Sequence, residues 1–212
     1  MKGLILKDIY NMKGYGRSLL FIIVIFALAF KEQGSATLIV TFTIMSSILI
    51  INSLAQDEMY KWYHMALSMP VNCRQLVLAK YIVSAGYAFA ALLTGAAVSF
   101  ILQAAGWFPG EDFIVMLAVI AISFLIALLF IAVIIPVNLK FGVQKGRLLL
   151  LSLVALPLLL TMVIAALGMT IPSVMFYGLS PYVIVFGSVA AVAALVVISY
   201  FISVRIMRKK EF

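Results

Sequence analysis

The side chains able to do chemistry in this chain are few: seven carboxylates, one histidine and one cysteine among 212 residues. General acid–base work needs two such groups held together, and inside a membrane an ionisable group is costly enough to be kept only for a task. The seven acids, Asp8, Glu32, Asp57, Glu58, Glu111, Asp112 and Glu211, fall in connections or at the edges of apolar runs, so neither a paired-aspartate site nor a buried proton relay is expected. A lone His64 rules out a multi-histidine metal site and has no H-E-x-x-H context. No G-x-x-x-x-G-K-[ST] phosphate loop occurs, and Gly146-Arg147 lacks the lysine and hydroxyl such a loop requires. The chain is therefore expected not to be an enzyme, with no catalytic residue, no metal and no cofactor of its own. Cys73 has no second cysteine to pair with and reads as an inert thiol near a helix start.

The elements that must position these groups are set by lipid. With 66% apolar and 10% charged residues and a mean hydropathy of +1.24, the chain has too little polar surface to clothe a soluble domain. We expect an all-α polytopic membrane protein, one transmembrane domain over residues 1–212, with six spans at 17–35, 36–55, 76–103, 113–138, 148–169 and 182–204. The net charge of +8 comes from basic residues beside these apolar runs, where they face anionic headgroups, so membrane lipid rather than nucleic acid is the expected partner. Of fifteen Lys and Arg residues, all but Lys31 then lie on one side, which places both termini in the cytoplasm of a bacterial cell membrane. A basic opening without a small-residue cleavage site predicts no cleaved signal.

Along the chain, residues 1–17 suit an interfacial helix with Leu4, Ile5, Ile9, Met12 and Tyr15 on one stripe, although Asp8 interrupts it. The first span has an uninterrupted core of only Leu19 to Phe30, about 18 Å of rise, short of a roughly 30 Å hydrocarbon layer. The third span is announced by Met69-Pro70-Val71, with Asn72 as cap and Gln75 three residues on, as in a capping box. Within it Ala91, Gly95 and Ser99 recur every fourth residue, a small-residue face for close helix packing, either inside the chain or at a dimer seam. Gly106-Trp107-Phe108-Pro109-Gly110 is a turn whose two rings suit the outer interfacial belt, and Glu111 and Asp112 close it as a solvated loop end. Pro157 should kink the fifth span. Residues 168–181, with no charge, are expected to re-enter the outer leaflet.

The most distinctive stretch is the connection 56–70. Wound as one helix it puts Met59, Trp62, Tyr63 and Ala66 on one face, with Asp57 and Glu58 at its N-terminus and Glu58 placed to pair with Lys61. Trp, Tyr and Met crowded into so short a connection need a covering surface, headgroups or another protein.

Here the chain resembles a known family. Leu6-Lys7-Asp8-Ile9, then Asp57-Glu58 followed by an aromatic and a Leu-Ser-Met-Pro-Val turn, then Arg74 and Lys80-Tyr81 opening the third span, are similar to the short permease subunits of type-2 ATP-binding-cassette exporters. The resemblance covers the whole chain and implies a homodimer or heterodimer of six-span subunits, each gripped by a separate ATPase subunit that binds ATP and magnesium. It assigns the coupling helix to about Asp57–Met69, with Asp57, Glu58, Lys61, Trp62, Tyr63, Met65 and Ala66 as the contact, and points to amphipathic peptides, such as toxins or bacteriocins, as cargo. ATP-driven closure of the partner would move the segment around Trp62 and with it the second and third spans. Two rivals remain: a substrate-binding membrane subunit of an energy-coupling vitamin importer, for which Gln103, Glu111, Asp112, Thr161 and Thr170 offer few convergent polar groups, and an immunity protein that sequesters a toxin peptide. Ligand-dependent thermal stabilisation of the lone subunit would favour the first, and the absence of an ATPase partner the second.

Overall fold

Every regular element among the described residues is a helix, as a lipid-solvated backbone requires, because only a helix satisfies its own N–H and C=O groups without water. The computed structural model describes residues 2–14, 16–31, 34–67, 72–108, 112–149 and 181–209. They form α1 (Lys2–Lys13), α2 (Gly16–Ala29), α3 (Ser35–Ile48), α4 (Ile50–Met59), α5 (Trp62–Leu67), α6 (Cys73–Ala104) and α7 (Phe113–Phe141). Residues 143–149 are helical (α8), and α9 is Pro181–Lys209.

Among the described residues four helical stretches are long and apolar enough to cross a membrane: Ser35–Met59, Cys73–Ala104, Phe113–Phe141 and Phe186–Lys209. These correspond to the second, third, fourth and sixth expected spans. The first expected span is shorter than 17–35: α2 has 14 residues, about 21 Å of rise, and stops at Ala29. All but the first two residues of the fifth expected span at 148–169, the kink at Pro157 and nearly all of the re-entrant piece at 168–181 lie outside the described residues; residues 148 and 149 end α8, and residue 181 already opens α9.

The first crossing is α3 and α4 joined almost in line. Thr43 and Ser47 turn their hydroxyls back onto the carbonyls of Ile39 and Thr43, and Leu49 N–H reaches Ser46 rather than the carbonyl four residues back, which tightens the helix there. α6 runs antiparallel to it: Gly95 lies against Ile39 and Phe42 near one end, and Lys80 against Ser53 near the other. α7 and α9 run parallel, since Ser199 donates to the Ala132 carbonyl while Leu139 and Met207 share one apolar cluster. The chain therefore leaves α7 at the end carrying Arg74, Lys140 and Lys209, the basic end, and enters α9 at the other.

The small-residue face of α6 is closed within the chain. Ala91, Gly95 and Ser99 are buried, and a Cβ built on Gly95 would meet the Phe42 ring at 3.5 Å and the Ile39 Cα at 3.8 Å. That spacing is ordinary van der Waals contact, so Gly95→Ala should leave stability nearly unchanged, whereas Gly95→Leu overpacks the α3–α6 seam and should cost about 1–3 kcal/mol. Thermal unfolding of the detergent-solubilised chain checks this, and a leucine variant as stable as the parent would show that the two backbones are not that close. At the end opposite the basic one, Lys31 lies 4.5 Å over the Trp107 ring and ties the turn after α2 to the turn after α6. Phe108 does not join an outer belt with Trp107 but turns inward against Ile23, Ala27, Leu38, Phe42 and Ala91.

Candidate functional site

The connection between the second and third spans is not one helix. α4 continues the membrane crossing to Met59, so Asp57 and Glu58 stand at a helix C-terminus instead of the expected N-terminus. Tyr60 ends α4, Lys61 takes a left-handed backbone (φ 49°), and α5 sets off in a new direction from Trp62. A left-handed residue just beyond a helix end is usually glycine; a lysine there makes a sharp elbow with little backbone freedom. Met69-Pro70-Val71 lies outside the described residues. α6 then starts at Cys73 after Asn72, as the sequence suggested, but the Asn72 side chain makes no capping bond, and only its carbonyl accepts from Gln75 and Leu76.

Two carboxylates at the end of α4 oppose the helix dipole, by about 0.3–1 kcal/mol each at an exposed site, so something must offset them. For Asp57 it is a buried ion network. Lys7 and Lys80 each approach an Asp57 carboxylate oxygen at 2.5 Å, Lys80 lies 2.7 Å from Asp8, and Lys7 lies 3.3 Å from Asp8. Ser53 donates to Asp8 at 3.2 Å and accepts from Lys80 at 3.1 Å. Asp8, Asp57 and Lys80 are each 2% exposed and Lys7 is 22% exposed. Two positive and two negative groups thus neutralise each other and bolt together α1, α4 and α6.

The expectation that every acid would stand at an edge is refined by where this network lies. α6 has 32 residues, a rise of about 48 Å against a hydrocarbon layer of roughly 30 Å, and Lys80 is seven residues, about 10 Å, from its start. The network is therefore wrapped in protein near the margin of the apolar layer. Asp8, which spoiled the apolar stripe of α1, is in the middle of that helix's buried face with Met12, and Ile9 of the expected stripe points outward.

Glu58 is held differently. Its carboxylate does not pair with Lys61 but accepts the Val143 backbone N–H at 2.7 Å, capping the first turn of α8. Gly142 makes room for it: its φ is +79°, and a Cβ there would sit 2.8 Å from the Glu58 carboxylate. Asn52, near the start of α4, also receives Arg147 at 3.1 Å, so α4 is fastened to α8 at two points.

The other residues assigned to the coupling contact divide into inner and outer sets. Tyr63 and Ala66 are buried against Leu76, Val77 and Tyr81 of α6. Burial, then the charges of Asp57, Asp8 and Glu58, push the Tyr63 phenol well above its usual range, so it stays neutral and can donate. Trp62 is half-buried under Lys7, whose ammonium is 4.4 Å from the ring centroid. Lys61 and Met65 are exposed, and beside them stand Met59 and Tyr60, 73% and 74% exposed; Met59 was expected on the face that needs a cover, and neither was singled out as a contact residue. His64 lies in α5.

Lys7, Asp8, Ser53, Lys80 and Val143 were also not anticipated as part of this site. The available signals were Asp8 itself, an acid placed where an apolar residue belonged, and the stretches carrying the family resemblance, which contain Lys7, Asp8 and Lys80 but do not say that they meet. Among the described residues no group of three or more His, Cys, Asp and Glu side chains is placed to hold a metal. What the arrangement offers is mechanical: an exposed aromatic and methionine knob, backed by charge pairs to α1 and α6 and by a carboxylate–N–H bond to α8.

A family model described as ABC-2 family transporter protein matches residues 3–208. No curated protein and no solved structure matches the chain.

Proposed function

This chain belongs to the ABC-2 family of transporters, and from that premise we propose that it works as the membrane half of an exporter whose motor is a separate ATPase subunit. Membership in the family makes it a multi-pass permease component that associates with an ATP-binding-cassette ATPase. Beyond this, our reading is that the α4–α5 elbow is the coupling contact, that two such subunits, identical or not, enclose the path, and that both termini face the cytoplasm of a bacterial cell. ATP and magnesium belong to the partner ATPase in this scheme. The cargo is an amphipathic peptide or a similar amphiphile, entering from the cytoplasm or the inner leaflet.

The observation that carries the reading is the double anchorage of the elbow. A push on Tyr60 or Met65 is received by a segment pinned through Asp57 to α1 and α6, and through Glu58 to the start of α8. Rigid links of this kind let a displacement at one surface move several helices together, where a free loop would absorb it.

Glu58→Ala should therefore leave the ATPase bound and hydrolysing while export falls. It removes the acceptor from Val143 N–H but none of the exposed knob. Trp62→Ala should do the same with an added loss of stability, because the ring also packs under Lys7. The measurement is paired: ATP hydrolysis and peptide transport by the complex in proteoliposomes. Unchanged transport in both variants would remove the elbow from the mechanism.

A further inference from the structure

We infer that the basic end of the chain carries a binding site for the headgroup of an anionic phospholipid, between the start of α6 and the end of α9. A groove of about 450 Å³ there is lined by Arg74 of α6 and by Tyr200, Phe201, Val204, Arg205, Arg208 and Lys209 of α9. A second hollow adjoins it, lined by Asn72, Cys73, Arg74 and Arg208, so Arg74 and Arg208 are common to both.

Four cations converge on this space, and no carboxylate among the described residues lines it. The acids closest in sequence to the start of α6 are engaged elsewhere, Asp57 with Lys7 and Lys80 and Glu58 with Val143. Like charges gathered on two adjacent helix ends repel one another unless an anion lies between them, and guanidinium groups favour phosphate through paired N–H···O bonds. The first turn of α6 adds the N–H groups of Cys73 and Arg74, since the Asn72 carbonyl takes those of Gln75 and Leu76 and its side chain caps none.

The occupant is a lipid rather than a free anion because of what continues from the groove. Phe201 is 65% exposed and lines it, and Val197, Ile198 and Ile202 continue an exposed apolar track along α9 toward the membrane. Acyl chains fit that track while the phosphate sits among the arginines, at the level where anionic headgroups lie. None of the residues lining this site belongs to the elbow, and the assignment stands whether or not the elbow is the coupling contact.

The test uses the full chain purified in a non-ionic detergent, titrated with phosphatidylglycerol or phosphatidylcholine and read by native mass spectrometry. At roughly fivefold per basic side chain near an anionic surface, the parent should prefer phosphatidylglycerol by more than about tenfold, and the preference should shrink with added salt. Arg74→Gln with Arg208→Gln should lose most of it, and Lys145→Gln, at the same end but outside the groove, should keep it. A second readout needs no variant: phosphatidylglycerol should slow alkylation of Cys73 by N-ethylmaleimide at least severalfold, and phosphatidylcholine should not. Equal affinity for the two lipids, retention of the preference in the double variant, or protection of Cys73 by inorganic phosphate as effective as that by the lipid would each overturn the assignment.

Discussion

Lys80→Met should destabilise the chain by about 3–5 kcal/mol, the range found when one partner of a buried ion pair is removed. Lys80 touches both Asp8 and Asp57, and without it two buried carboxylates share only Lys7, leaving an uncompensated charge in an apolar setting. Lys7→Met should cost less, because Lys7 is 22% exposed, so water already screens its pairs, and Lys80 still reaches both acids. The diagnostic variant is double: Lys80→Met with Asp57→Asn leaves the Lys7–Asp8 pair, a neutral set, and should recover a large part of the loss. Thermal unfolding of the detergent-solubilised protein measures all three. A Lys80→Met protein within about 1 kcal/mol of the parent, or a double variant worse than the sum of its singles, would mean that the network contributes packing and not charge balance.

That network also marks the limit of what the sequence revealed. Apolar runs long enough to cross lipid announce themselves, because a helix is the one structure lipid allows there; the crossings at 35–59, 73–104 and 113–141 follow their expected positions within a few residues. The start of α6 was legible too, since a proline forbids the previous helix to continue. What stayed hidden was everything set by contacts between distant residues. Nothing in the spacing of Asp8, Asp57 and Lys80 says that Lys80 will meet acids 23 and 72 residues before it. Helical periodicity even misled at 57–69: it fits one continuous helix, whereas the tertiary fold keeps Asp57 facing Lys80 and bends the chain at Lys61, so α5 can bury Tyr63 and Ala66. The division of the candidate contact into inner and outer residues follows from that bend, and no sequence pattern encodes it.

Changing Met59 and Tyr60 together to aspartate should abolish ATPase docking while sparing the fold. Both side chains are more than two thirds exposed and make no part of the buried clusters, so their replacement should cost only about 0.6–2 kcal/mol, the effect of two further carboxylates at the C-terminal end of α4. On an interface the same change is severe, because large apolar and aromatic side chains at the centre of a contact are worth 2 kcal/mol or more each, and a carboxylate put in their place is buried without a partner. Loss of two such anchors predicts at least about a thousandfold weaker association, so export should be undetectable in proteoliposomes supplied with the ATPase. This pattern is distinct from that of Glu58→Ala, where the partner stays bound and only the stroke is lost. The two variants therefore separate grip from transmission. Copurification of the ATPase with the doubly substituted chain at parental yield would show that the motor holds some other surface, and the elbow would then be a structural corner and nothing more.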